Sequence, residues 1–243
     1  MRKASCVPVL GALLIGALGF PTSVFAQDGR ATAEKIAQTY GIDSWGQVEA
    51  IRFTFNVPAA KLSRSWVWEP KADHISYDGP DKDGKPVQIT YSRSQLANQS
   101  EFIKQVVDPA FTNDQYALLL PLHLFAWDTA VTVEDAGVQK GHLVKGTARK
   151  LIVRYPSDAG GYTPGDTWEL YVGNDGRLRE IVLRHGGNIK PALTSATWAD
   201  HKTAGPLLMS TEKHGTADGA PIHLKFTNVA VKLVGSDTWT DAK

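Results

Sequence analysis

Cysteine is almost absent from this chain. The single one, Cys6, falls within the first 26 of 243 residues, so the 217 beyond Ala26 have neither a disulfide nor a thiol and must be held together by their core. Charge of one sign is also missing. There are 26 Lys and Arg against 25 Asp and Glu, and setting aside Arg2 and Lys3 leaves 24 against 25. That balance argues against a nucleic-acid partner, and no Lys/Arg cluster reads as a basic membrane-binding face. Gly-x-Ser-x-Gly, a Walker loop, a dinucleotide glycine motif and His-Glu-x-x-His are all lacking. None of the seven histidines lies two, three or four residues from another, so the spacing offers no local metal pair, and no metal or cofactor is expected. Internal repeats and low-complexity segments are missing too.

What is present begins with an export signal. Arg2 and Lys3 form a basic start, Val7 to Phe20 an apolar run, and Val24-Phe25-Ala26 a cleavage site after Ala26. The run is short of the roughly 20 residues a membrane span needs, so no transmembrane anchor should remain after cleavage. Cys6 precedes the run and cannot be a lipidated cysteine. The expectation is a periplasmic or secreted protein, with residues 27–243 as one domain. A chain of that length buries roughly 70% of its unfolded surface.

Residues 31–40 read as an amphipathic helix, with Ala33, Ile36, Ala37 and Tyr40 on one face and Gly41 ending it. Asp43-Ser44-Trp45-Gly46 is a turn with an aromatic anchor. From Val48 the period becomes two. Ile51, Phe53, Phe55 and Val57 alternate with polar residues, and so do Leu62, Arg64, Trp66 and Trp68. Residues 74–78 and 87–92 complete a meander whose short connections require antiparallel pairing. Residues 94–107 read as a helix stopped by Asp108-Pro109. Strands resume at 130–134, 138–144, 147–155, 166–172, 178–184, 195–202, 207–213 and 222–234. Gly173-Asn174-Asp175-Gly176 marks a hairpin.

Between these halves lies the most apolar stretch, residues 114–128. Leu118, Leu119, Leu120, Leu122, Leu124 and Phe125 have no period of two, and Pro121 predicts a short helix, a break and a second turn. Such a run must fill a core or cover a cavity, because each buried Leu or Phe is worth about 1.5–3 kcal/mol.

The N-terminal helix, the Trp-Gly-Gln-Val turn and Ile-Arg-Phe-Thr-Phe-Asn-Val resemble exported bacterial proteins of the LolA/LolB-like superfamily, and more closely their uncharacterised secreted relatives. The resemblance rests on residues 45–57, 114–122 and 163–171. It implies a mainly β fold: one curved antiparallel sheet of about eleven strands, a half-barrel, whose concave face is covered by helices. Residues 101–127 would be the lid.

The leading expectation is a carrier for a hydrophobic or amphiphilic small molecule or lipid. Its pocket would comprise Phe53, Phe55, Trp66, Trp68, Leu119, Leu122, Phe125 and Trp168, with Arg64 on a headgroup. No residue receives a catalytic role. Two alternatives stand beside it. One is a hydrolase built from a convergent His/carboxylate cluster, and the other is a partner-binding domain whose helical segment simply fills the half-barrel.

Overall fold

Strand β1 (Val48–Val57) is the seam of the sheet. Its alternation sends Ile51, Phe53 and Phe55 inward, each 2% exposed or less, and Arg52 and Asn56 outward. The register with β2 (Leu62–Glu69) sets Ile51 opposite Trp68, Phe53 opposite Trp66 and Phe55 opposite Arg64. A one-residue slip would turn this whole apolar set to water, which fixes the pairing. The structure, a computed structural model, describes residues 22–158, 164–186 and 193–243, with side chains from residue 29 onward. The targeting segment, residues 1–26, lies outside the described residues except for the backbone of its last five.

From β2 the meander continues through β3 (His74–Pro80) to β4 (Pro86–Tyr91) at one edge. On its other side β1 pairs with β12 (Ala220–Leu233), followed by β11 (Leu207–Ala217) and β9 (Leu193–Thr197). Then come β8 (Leu178–Arg184), β7 (Thr167–Val172), β6 (Thr147–Arg154) and, at the far edge, β5 (Thr132–Lys140). Eleven strands thus form one open antiparallel path, and β10 (Ala199–Ala204) and β13 (Trp239–Asp241) pair with β11 and β12 beside it. This is the half-barrel expected from the sequence.

The two edge strands, β4 and β5, are consecutive in the chain. The connection between them must therefore cross the sheet. It does so as a helical insertion: a π-type turn (Ile103–Val107), α2 (Asp108–Leu122) and a second π-type turn (His123–Trp127). Residues 101–127 at 1.5 Å each reach about 40 Å. Eleven strands laid flat would span about 48 Å, so a helix of this length reaches from edge to edge of a curled sheet. It crosses the concave face, and Leu118, Leu119, Leu120, Leu122, Leu124 and Phe125 are all buried. Helix α1 (Thr22–Thr39) packs against β5 and the end of the insertion, burying Ala33, Ile36, Ala37 and Tyr40 as their spacing predicts. Gly41 ends it in the left-handed region (φ 95°), and a Cβ there would stand 2.3 Å from the Pro206 carbonyl oxygen.

Several expected boundaries differ. Asp108-Pro109 does not stop a helix. Residues Arg93–Asn98 form a 3₁₀ turn, and the helix that follows runs straight through Pro109. The π-type turn just before Pro109 explains this, since its wider i→i+5 bonding accommodates a residue that cannot donate. Pro121 interrupts the insertion as expected, since two helical pieces meet at a kink on its N-terminal side. The distortion falls two residues earlier, at Leu119 (φ −110°, ψ 19°), and a π-type turn again follows. The strands expected at 130–134 and 138–144 are one strand, β5, bulged between Asp135 and Val138 around Gly137 (φ 75°). The strand expected at 195–202 is split at Trp198 into β9 and β10, and β13 was not legible.

Not every inward position is apolar. Lys213 on β11 is fully buried, its Nζ 4.3 Å from the Trp198 ring centre and 4.7 Å from that of Phe226. It donates to the Ser210 carbonyl at 2.7 Å. Burial pushes its pKa well below the usual lysine range, with Glu212 opposing weakly. The penalty is fully present below the folded pKa and fades as pH rises from there toward the unfolded value of about 10.4. Lys213→Met is expected to raise the melting temperature by about 4–8 °C at pH 7, roughly 2 kcal/mol. The difference from the parent should narrow between pH 7 and 10 in thermal melts followed by circular dichroism. A Met variant that melts lower would mean the amine's hydrogen bonds outweigh its desolvation.

Candidate functional site

The turn after α1 is a 3₁₀ turn (Ile42–Gln47) that holds Trp45 over the end of β2. There Trp45 meets Trp68 at 5.7 Å between ring centres, and Trp127 of the insertion at 4.7 Å. Phe111 of α2 closes the group, 5.7 Å from Trp68. These four rings line an open cleft of about 710 Å³ between the insertion and the sheet. Its polar lining comprises Asp73, Arg93, Gln115 and His123. A volume of this size accommodates a small organic molecule or part of a chain.

Two polar clusters border the cleft. In the first, Asp73 accepts hydrogen bonds from the Ser92 hydroxyl and from the backbone N–H groups of Ser94 (2.8 Å) and Arg93 (3.2 Å). The Ser92 and Ser94 contacts hold its carboxyl down at about 2. Arg93 is ion-paired at 2.9 Å with the buried Asp108, which also accepts from Tyr91 Oη at 3.0 Å. In the second, His123 stacks on Tyr116 at 4.0 Å and meets Trp127 edge-on at 4.8 Å. Its Nε2 hydrogen-bonds Gln115 Oε1 at 2.9 Å, and Nδ1 stands 3.8 Å from Asp128. Asp128 accepts from Tyr116 Oη at 2.7 Å and from Tyr155 Oη. Burial raises its pKa, but the hydrogen bonds from His123 and the two tyrosines outweigh it and hold the carboxyl below its ordinary value.

Of the residues expected to form a pocket, Trp68 alone lines this cleft. Phe53, Phe55, Trp66, Leu119, Leu122, Phe125 and Trp168 are buried members of the hydrophobic core between sheet and insertion. Arg64 is paired within the protein. Its Nε and Nη2 clamp both oxygens of Asp114 at 2.8 and 2.6 Å, and Trp66 Nε1 donates to the same carboxylate at 2.9 Å. Asp114 is wholly buried. Burial pushes its carboxyl up, and Arg64 pulls it back.

The cleft residues that sequence reading passed over have a spacing. Phe111, Gln115, His123 and Trp127 fall in one i+4 series through Leu119. That stripe spans the kink before Pro121.

A larger depression, about 890 Å³, lies on the outer face of β1 to β4. Its outward side chains are paired with one another: Thr54 with Ser65 at 2.9 Å, Gln88 with Asp78 at 3.1 Å, and Arg52 with Asp241 at 2.8 Å. It offers no aromatic plane outward, so the smaller aromatic cleft is the better site for an apolar ligand.

Neither a family model nor a curated protein sequence matches the chain. Among solved structures it is similar to a DUF1329 family protein from Desulfovibrio piger, with a TM-score of 0.45 and 10% sequence identity, covering 88% of this chain and 95% of that one.

Proposed function

We propose that this is an exported, LolA/LolB-like binding or carrier protein for an amphiphilic, lipid-like ligand, held between the sheet and the helical insertion. The observation that carries the reading is the cleft walled by Trp45, Trp68, Trp127 and Phe111. Three half-buried indoles around a cleft gain from an apolar group that completes their burial, since each aromatic ring buries 150–250 Å² when packed. The polar groups lie at the margin, so a ligand with one apolar and one polar end fits better than a hydrocarbon. Phe111 also touches Trp66 at 5.4 Å, which makes it the partition between the cleft and the buried cluster of Phe53, Phe55, Leu119, Leu122, Phe125 and Trp168. An acyl chain longer than the cleft would enter that cluster by displacing this ring. A hydrolase reading would need a His/carboxylate cluster free to act on a ligand, whereas His123 Nε2 is engaged by the amide of Gln115 and Asp128 by the Tyr116 and Tyr155 hydroxyls.

Delipidated protein titrated with a fluorescent fatty acid is expected to show saturable uptake. Trp68→Ala and Trp127→Ala should each weaken it about tenfold, the equivalent of about 1.4 kcal/mol. Trp239→Ala, on the outer face, should leave it unchanged. Native mass spectrometry of protein taken from its own periplasm should reveal the bound molecule. No saturable uptake, together with consistently empty native protein, would overturn the reading.

A further inference from the structure

Strands β11 and β12 form a hairpin whose outer face carries three possible metal donors. Glu212 and His214 are two apart on β11 and share a face. The register sets His223 of β12 directly opposite His214. The two imidazoles stack with centres 4.2 Å apart and planes 16° from parallel. Both present Nε2 to the same atom, Glu212 Oε1, at 3.2 Å from His214 and 2.6 Å from His223. One ligand atom from each of the three residues lies within 4.8 Å of the other two.

We infer that Glu212, His214 and His223 form a surface site for a divalent transition ion of borderline softness, zinc or copper, with at least one coordination position open to solvent. The distances support this. Donors bound to Zn²⁺ at about 2.0–2.1 Å in a tetrahedron are about 3.3 Å apart, so the His214–Glu212 spacing is already that of a ligand pair. The His223–Glu212 pair, at 2.6 Å, has only to open, and both imidazoles have room to turn, being 56% and 35% exposed. Two nitrogens and one carboxylate select zinc, copper or nickel over magnesium and calcium, which take oxygen ligands. Without an ion, two imidazoles converge on one carboxylate oxygen.

Lys225 stands opposite Glu212 in the register, its Nζ 3.9 Å from Oε2. It steadies the carboxylate but adds positive charge beside the ion. Removing it should therefore tighten binding, which a merely structural ion-pair cluster would not predict. The site lies on the outer face, away from the aromatic cleft, and does not depend on the ligand read there. Through His214 and His223 a bound ion would join the two strands of the hairpin closed by Asp218-Gly219.

Untagged mature protein titrated with Zn²⁺ in a calorimeter is expected to bind one ion. His214→Ala and His223→Ala should each weaken binding at least tenfold, Glu212→Gln should weaken it less, and Lys225→Ala should strengthen it several-fold. Mg²⁺ should give no saturable heat. Cu²⁺ electron paramagnetic resonance supplies a readout independent of affinity: two-imidazole nitrogen coupling in the parent and one in either His variant. Each variant's melt is followed alongside, and Zn²⁺ should raise the parent's melting temperature but not that of the double His variant. No saturable binding up to 1 mM, or one-to-one binding that survives in the double His variant, would overturn the proposal.

Discussion

Leu119→Asp is expected to abolish the cooperative thermal transition. Leu119 is 2% exposed and sits at the one distorted residue of α2, between the sheet and the rest of the insertion. Its neighbours Leu118 and Leu120 are fully buried, so no rotamer carries a carboxylate from this site to water without moving the helix. An unpaired charge in such a core costs several kcal/mol, and the loss of leucine packing adds about 2–5 more. Together these match the roughly 5–15 kcal/mol that holds a domain folded. Far- and near-ultraviolet circular dichroism melts would check this, with Leu119→Met as the volume-conserving control. A Leu119→Asp protein that stays folded and melts within a few degrees of the parent would mean that the insertion lifts readily. The buried aromatic cluster would then be open to a ligand, and the insertion would be a moving lid.

The sheet was legible because alternation survives at every strand that has one wet face. Ile51, Phe53 and Phe55 announce β1, and the turn at residues 173–176 announces the β7–β8 hairpin. The helical insertion was legible in kind but not in extent. Proline breaks a helix only where the chain has no other way to satisfy its carbonyls: the π-type turn before Pro109 carries the helix through, whereas Pro121 kinks it at Leu119. The stripe Phe111, Gln115, His123, Trp127 spans that kink, so neither helical piece shows it alone. Trp45 was readable as an anchor, but its partners come from β2 and the insertion and depend on how the chain crosses the sheet. The same holds for Glu212, His214 and His223. The two histidines are nine positions apart, and only the β11–β12 register makes them neighbours. Strand β13 is three residues long, too short for any period to show.

Asp114→Ala is expected to lower the melting temperature by about 10 °C, and the reason lies in what it would leave behind. The carboxylate accepts two bonds from Arg64, one from Trp66 Nε1 and one from Asn113. It ties β2 to the middle of α2 from a position with no exposed surface. Removing it strands a guanidinium that is only 17% exposed, together with a buried indole N–H. Breaking one side of a buried pair costs about 3–5 kcal/mol, and each kcal/mol is worth about 2–4 °C in a chain of this size. Replacing both partners is a different experiment. Arg64→Met combined with Asp114→Leu removes both charges and fills the space with apolar volume, and such exchanges are neutral or stabilising elsewhere. The double variant should therefore regain most of the lost melting temperature, with only Trp66 Nε1 left unpaired. It also separates the two roles open to Arg64. If the arginine serves only as a clamp, the double variant takes up a fluorescent fatty acid like the parent. If it also meets a headgroup when the insertion moves, uptake falls although the fold is restored.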